Sequence, residues 1–408
     1  MTAAPVRLGL GENLGQFGLL VAVTAFVGAM VGLERSTLPL LGSTEFGVSS
    51  SAALLSFVAA FGLAKALTNL AAGGLAGRMG RRRLLVAGWV VALPVPLLIA
   101  LAPAWSWIAA ANVLLGINQG LTWSMAVVMK IDLVGPQRRG LALGLNEAAG
   151  YGGVAVAAVA SGWLAAEFAP RDALVVAGAV IAVAGLALSA LFVRDTGAHV
   201  AVEQAAHGHG GAAPSLRHAF AASSWRVPRL RAASQAGLAN NLNDALAWGL
   251  VPLFLAASGA GAAAIGVIAG LYPAVWAIGQ IWTGHWSDRV GRRPLIASGM
   301  LVQSAGLALL AVSGGRVAPA AVAAVVLGAG TALVYPTLIA AISDAVGPLE
   351  RAAAVGVYRF WRDMGYVAGA LVAGLVADAV GFPGAIAVVA ALTAASGVWV
   401  LRDMAPGT

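Results

Sequence analysis

A tight basic turn occurs twice in this chain, 211 residues apart. The first copy runs Gly73-Gly74-Leu75-Ala76-Gly77-Arg78-Met79-Gly80-Arg81-Arg82-Arg83, the second Gly284-His285-Trp286-Ser287-Asp288-Arg289-Val290-Gly291-Arg292-Arg293-Pro294. Each follows a long apolar run and precedes another. Such a turn joins two membrane helices, and its repetition points to a chain built from two like halves.

Of the 408 residues, 60% are hydrophobic and only 10% charged, against roughly 25% charged in soluble domains. A helix crossing the hydrocarbon needs about 20 apolar residues. Twelve stretches meet that need, at approximately 15–41, 51–73, 84–103, 105–129, 140–166, 172–193, 232–257, 263–286, 294–313, 318–342, 352–378 and 382–401. The long connection between the sixth and seventh, with His199, His207, His209 and His218 among many Ala and Gly, reads as a mostly unstructured linker whose histidines are solvated rather than metal-bound. The expected division is therefore 1–193, linker 194–231, and 232–408.

The net charge of +8 reports topology rather than nucleic-acid binding. Four of the 24 Lys and Arg lie inside spans (Arg35, Lys65, Arg359, Arg362), Arg171 and Arg316 lie on one set of loops, and the rest, Lys130 included, lie on the other. By the positive-inside rule both termini are cytoplasmic, with anionic lipid headgroups as an incidental partner. There is no cysteine, which excludes disulfide and thiol chemistry. The segment 1–13 lacks the apolar core of a signal peptide. Abundant Ala and Gly suit close helix packing in lipid and a GC-rich prokaryotic genome.

The duplication extends beyond the turns. An offset of about 212 sets Leu115-Gly116 beside Leu327-Gly328, Trp123 beside Tyr335, Asp132 beside Asp344, Gly135-Pro136 beside Gly347-Pro348 and Gly144 beside Gly356. Both halves run in the same sense, so the repeat axis lies along the membrane normal. On these residues the chain resembles the major facilitator superfamily over nearly its whole length. The second turn carries that family's Asp-Arg-x-Gly-Arg-Arg as Asp288 to Arg293; in the first, Gly77 stands where the family places an acid. The segment Pro136-Gln137-Arg138-Arg139-Gly140 resembles a further family pattern. The resemblance implies twelve helices in two pseudo-symmetric six-helix bundles around a central cavity, an all-α polytopic membrane protein. It also implies that Arg81, Asp288 and Arg292 gate one face, with the latch leaning on Asp288.

Charge at the bilayer centre costs roughly 2.5–3.5 kcal/mol on insertion scales, so intramembrane charges mark function. Glu34, Arg35, Lys65, Glu147, Asp244, Arg359, Arg362 and Asp363 lie inside spans, and the third, sixth, ninth and twelfth spans carry none. Asn240, Asp244 and Trp248 recur every four residues and are expected on one face, as are Lys65 with Asn69, Glu147 with Tyr151, Tyr358 with Arg362, and Arg359 with Asp363. Alternative readings remain open: Lys65 snorkelling to headgroups, Arg359 and Asp363 forming only a helix-surface pair, Glu34 and Arg35 at a wet helix end. Asn118, Gln119, Trp123, Tyr272, Trp276 and Tyr335 add a polar and aromatic lining.

The four cations favour an anionic solute, because a guanidinium pairs bidentately with carboxylate or phosphate. Asp244, with no base in its own helix, is the first choice of proton carrier, followed by Glu147, then Glu34 and Asp363. The expectation is a monomeric secondary transporter of a small anion in a prokaryotic cytoplasmic membrane. It is coupled to protons and needs no cofactor, metal or nucleic acid. A proton-driven drug or metabolite exporter is the first alternative, although the fifth span lacks the Gly-Pro pair of such antiporters. A sensor or scaffold without transport is the second. Sugar-porter signatures are missing, a channel needs no such midplane site, and no His-Glu-x-x-His, Gly-x-Ser-x-Gly or cysteine nucleophile supports an enzyme.

Overall fold

The computed structural model describes residues 6–135, 139–207, 216–346 and 350–404. Pro136 to Arg138, Gly347-Pro348 and His209 lie outside them. The N-terminal half consists of α1 (Leu14–Thr44), a short α2 (Ser51–Leu54), α3 (Ser56–Met79), α4 (Arg81–Ala92), α5 (Pro94–Ala100), α6 (Trp105–Val134), α7 (Arg139–Glu167) and α8 (Pro170–Leu191). The linker carries α9 (Gly197–His207), α10 (Leu216–Ala221) and a π-helical turn (Ala222–Arg226). The C-terminal half holds α11 (Pro228–Ala257), α12 (Ala262–Val290), α13 (Arg292–Val312), α14 (Val317–Asp344) and α15 (Arg351–Asp403).

These elements form twelve membrane crossings. Pro94, which cannot donate a backbone hydrogen bond, divides one crossing into α4 and α5. Gly381, with φ +80°, breaks α15 into two crossings, and Pro383 starts the second. Among the described residues, eight helical stretches are long and apolar enough to span by composition. The α3 crossing falls outside that group because its described apolar stretch, Ser56–Ala72, is shorter, and α6 and α11 because Asn112, Asn118, Gln119, Asn240, Asn241, Asn243 and Asp244 lower their hydropathy. These polar side chains turn inward, where hydrocarbon does not meet them.

The repeated turn has a shared geometry. Gly80 and Gly291 adopt φ of +85° and +96°, a region that side-chain-bearing residues avoid. Each glycine N–H closes the preceding helix, onto the Ala76 and Ser287 carbonyls at 3.2 Å. The arginines then act in register. Arg81 binds Asp132 at 2.9 Å and Arg292 binds Asp344 at 3.0 Å. Arg82 donates to the Ala190 carbonyl and Arg293 to that of Leu401, both at 2.6 Å. The acid missing at Gly77 is replaced by Asp195, which accepts from the Arg82 and Gly197 backbone N–H groups at 3.0 and 2.8 Å. Burial alone would raise the Asp195 carboxyl. These hydrogen bonds and the Arg81 charge outweigh it and hold the group below its ordinary 3.8.

Two expectations are corrected. The linker is helical at both ends where it is described, with His199 in α9 against Asn13 at 3.2 Å, and α11 begins at Pro228 rather than 232. Lys130 is not a loop residue; it is fully buried in α6.

Helices pack as a repeated pattern: α1 with α7 and α11 with α15, α3 with α6 and α12 with α14. Across the halves, α7 meets α12 and α3 meets α15. Lipid offers no hydrophobic drive for such contacts, so close backbone approach at small residues supplies packing. A Cβ at Gly153 would lie 2.1 Å from the Ala25 carbonyl oxygen, and one at Gly365, its counterpart in the repeat, 2.3 Å from that of Leu238. Gly153→Leu or Gly365→Leu should therefore lower the melting temperature of purified protein, at the scale of 1–3 kcal/mol typical of overpacking. Gly152→Ala, which points into open space, should leave it near that of the parent. Because the Asp195 carboxyl is depressed, its contribution is full above about 3.8 and lost as pH falls through its lower folded value. Asp195→Asn should thus lower the melting temperature at pH 7 and narrow that difference toward acid pH.

Candidate functional site

Three linked clusters occupy the interface between the halves. In the first, Arg35 on α1 donates to both oxygens of Asp244 on α11, at 2.7 and 2.8 Å, with side-chain exposures of 2% and 0%. The Tyr366 hydroxyl from α15 also donates to Asp244. Trp248, one turn beyond Asp244, lies under the Arg35 guanidinium at 5.3 Å and is wedged edge-on between Phe57 and Phe61.

The second cluster centres on Asp363 of α15. Arg362 donates to it from Nη2 at 2.7 Å and from Nε at 3.0 Å, Asn69 of α3 at 2.5 Å and Asn241 of α11 at 3.5 Å. The Lys65 ammonium lies 4.0 Å away, with the faces of Phe61, Trp123 and Tyr366 at 5.3, 5.5 and 5.5 Å. Two cations thus converge on one carboxylate.

The third cluster centres on Glu147 of α7. Its carboxylate accepts from the Trp123 indole at 3.1 Å, the Asn146 amide at 3.0 Å and, from the other half, the Tyr335 hydroxyl at 3.2 Å. All three donors are neutral in charge, and Arg362 donates to the Tyr335 oxygen rather than to the carboxylate. Tyr151 stacks on Trp276 at 3.5 Å, and Trp276 meets Tyr335 edge-on at 4.9 Å. Trp123 and Tyr335, equivalent in the repeat, approach one acid from opposite sides.

A cavity of about 570 Å³ between α7, α12 and α14 leads to this third cluster. Its head is formed by Glu147, Gln280 and Tyr335, its walls are largely apolar, and its mouth holds Asp288, Arg292 and Asp344. It therefore opens on the face that carries the basic turns. The opposite face is sealed between the halves. There Asp378 of α15 accepts from the Ser50 hydroxyl at 2.6 Å and from the Ser51 and Ala52 N–H groups at 2.6 and 3.2 Å. Gly162 of α7 and Gly266 of α12 cross so closely that a Cβ at Gly162 would lie 2.5 Å from the Gly266 Cα.

The family model described as Major Facilitator Superfamily matches residues 14–238 and 233–408. The chain belongs to the major facilitator superfamily. Membership makes it a secondary transporter and a multi-pass membrane protein rather than an enzyme. A crystal structure of the nucleoside transporter NupG, a D323A mutant, is similar at a TM-score of 0.76 with 13% identity, covering 96% of this chain and 100% of that one. At that identity the likeness carries the fold alone.

Several residues singled out from the sequence lie elsewhere than expected. Asn118 and Gln119 tie α6 to the Gly88 and Val27 carbonyls at 2.9 and 2.7 Å, inside the N-terminal half. Asn240 accepts from Gln303 of α13 at 2.9 Å, not beside Asp244 and Trp248. Four residues turn a helix by about 400°, so the face drifts about 40° per step. Tyr272 bonds Thr331 at 3.3 Å, and Tyr358 is buried where α15 crosses Gly237. Glu34 points away from the centre into a small apolar side pocket with Met30, Val95, Pro96 and Leu174, with Asn112 as its hydrogen-bonding neighbour. Lys65 does not snorkel. Asp363 is engaged by Arg362 and Lys65 rather than by Arg359. Asp288, 64% exposed, pairs with Arg292 on its own side of the cleft.

Tyr366, Asn241, Phe61 and Asn146 were not singled out. Tyr366 lies four residues after Arg362 and Phe61 four before Lys65, a spacing that could have signalled both; Asn146 carries no sequence signal beyond adjacency to Glu147. Removing one partner of a buried ion pair costs about 3–5 kcal/mol, because it leaves the other charge uncompensated. Arg35→Leu alone should therefore lower the melting temperature sharply, and Arg35→Leu with Asp244→Leu should recover most of the loss. Equal losses in the single and double variants would contradict the pairing.

Proposed function

We propose that this chain is a proton-coupled transporter of a small solute bearing an anionic group, working by alternating access. The observation that carries this reading is the charge balance of the centre once Glu34 is set apart. Arg35, Lys65, Arg359 and Arg362 then outnumber Asp244, Asp363 and Glu147 by one, with Arg35 on Asp244 and with Lys65 and Arg362 on Asp363, and this surplus suits one anion. Lys65 and Arg362 share Asp363 and can share it with a solute carboxylate or phosphate, which a guanidinium binds bidentately. Trp123, Trp248, Trp276 and Tyr335 supply the apolar walls around that position.

Glu147 is the proton carrier in this reading, ahead of Asp244. Asp244 has no base near it along its own helix, where Arg229 and Arg231 lie more than three turns away, but Arg35 reaches it from α1 and commits it as an ionised partner. Glu147 meets only neutral donors at the cavity head, so adding a proton there breaks no ion pair. Loss of its charge strengthens the field of Arg362 and Lys65 on an arriving anion. Asp363 and Glu34 are the remaining candidates. Arg81, Asp288 and Arg292 are assigned to the gate of the basic face: Arg81 and Arg292 hold their own bundles, and Asp288, paired with Arg292 at the cavity mouth, exchanges to the other half when that face closes. The basic face is assigned to the cytoplasm of a prokaryotic inner membrane, with both termini there, and the working unit is a monomer.

A second reading rests on the Tyr151–Trp276 stack. Aromatic faces accept a planar, uncharged heterocycle, and NupG is named as a nucleoside transporter. Purified protein in proteoliposomes, given carboxylates, oxyanions, nucleosides and lipophilic cations with and without a pH gradient, separates the readings. Anion flux should appear, fall about tenfold or more in Arg362→Ala (1.4 kcal/mol), and lose its dependence on the gradient in Glu147→Gln. Saturable nucleoside flux would favour the second reading and flux of a lipophilic cation an exporter. Ligand binding without flux would indicate a sensor.

A further inference from the structure

Lys130 has no part in the scheme above, yet its side chain is fully buried inside the N-terminal half. Its ammonium donates to the Leu20 carbonyl at 3.0 Å and to the Thr24 hydroxyl at 2.7 Å, both on α1. Among the described residues no carboxylate lies within ion-pair distance of it. A buried cation held only by neutral oxygens is costly to keep. What it gains lies on the far side of Thr24. The Thr24 oxygen is 3.3 Å from Asn146 Oδ1, and Asn146 Nδ2 donates to Glu147 Oε1 at 3.0 Å.

The polarity of this chain is set from its lysine end. An ammonium has only hydrogens to give, so the Thr24 oxygen accepts and its own hydrogen points onward, to the Leu20 carbonyl at 2.8 Å or to Asn146 Oδ1. An asparagine oxygen turned toward Thr24 turns the amide NH₂ toward Glu147. An amide does not pass a proton along such a chain without changing its bonding, so the arrangement orients and biases rather than conducts.

We propose that Lys130 is a positioning residue for proton exchange at Glu147, holding through Thr24 and Asn146 the N–H donor and the positive field that favour the ionised carboxylate. This rests on the reading of Glu147 as the proton carrier. Other groups also face Glu147. Tyr151 lies on its own helix; α6 adds Trp123, and α3 adds Lys65. Tyr335 comes from α14 and Tyr358 from α15, with Arg362 and Arg359 beside Tyr335 rather than against the carboxylate. From α12 come Gln280 and Trp276, both neutral. Asp132, two residues from Lys130, is turned the other way, to Arg81 and to Thr196 at 2.5 Å. Lys130 is distinguished by its hydrogen-bonded connection to the Glu147 carboxylate through a side that does not face the cavity, so it can act whether or not solute is bound.

The test needs no known solute. Full-length protein in phosphatidylcholine vesicles is titrated by infrared spectroscopy, following the C=O stretch of protonated carboxyl groups and assigning the Glu147 band by its loss in Glu147→Gln. In Lys130→Met the band should persist to a higher pH than in wild type, because a cation connected to the carboxylate has been removed. Lys130→Arg should restore most of the difference, and Thr24→Val, which cuts the chain but keeps the charge, should shift the band less and in the same direction. Thr24→Val also serves if Lys130→Met does not fold. A band that titrates alike in wild type, Lys130→Met and Thr24→Val would overturn this role alone. A wild-type spectrum from which Glu147→Gln removes nothing would overturn both this role and the assignment of Glu147 as proton carrier.

Discussion

The ion pair between Arg35 and Asp244 joins the two halves in a place where neither charge meets water. The Coulomb attraction of such a pair is large in a low dielectric, but so is the cost of stripping both ions of solvent. The pair holds because its geometry is bidentate and because Tyr366 and Trp248 complete its surroundings. Asp363, shared by Lys65 and Arg362, repeats the arrangement a short distance away. Interhelical polar contacts of this kind replace the hydrophobic drive that lipid removes. They also make the join between the halves sensitive to any proton or solute that alters one charge.

That sensitivity explains how a cleft on one face can be tied to a seal on the other. The cavity ends at Glu147 and Tyr335, while Asp378 caps the first turn of α2 across the opposite face. Between these two points lie the charge clusters. Rocking one bundle against the other would close the cleft and strain the Asp378 contacts, with the clusters near the pivot. The repeated pairs Arg81–Asp132 and Arg292–Asp344 stay within their own halves, so they stiffen each bundle as a rigid body rather than bridging the moving interface.

The duplication made most of the fold legible. The positive φ of Gly80 and Gly291 and the matched arginine contacts follow from the repeated turn, and Asp132 and Asp344 were already aligned by the offset that pairs Trp123 with Tyr335. Buried charge within apolar runs pointed to Arg35, Lys65, Glu147, Asp244, Arg362 and Asp363. What stayed hidden was partnership across the interface. Asp244 looks unpaired within its own helix, and nothing in the order of residues says that α1 brings Arg35 to it. Glu34 and Arg35 are adjacent, yet a helix sends neighbours about 100° apart, one to the centre and one to a side pocket. Lys130 sits close enough to a helix end to read as a loop residue, although the side chain runs inward to α1. The acid that replaces the one missing at Gly77 comes from Asp195, more than a hundred residues on, beyond the reach of any local pattern.

The absence of cysteine gives a direct way to test the account that paired charges join two rocking halves with one face open at a time. Single cysteines are placed at Ala340, in the cavity wall, and at Ala52, against Gly374 in the opposite seal. Their modification by a membrane-impermeant thiol reagent is followed from each side of oriented vesicles. The account predicts that position 340 reacts from the basic face and position 52 is protected, and that breaking the seal with Asp378→Ala lowers the first rate while raising the second from the opposite face. Rates at the two positions that do not change in opposite directions in Asp378→Ala would contradict it.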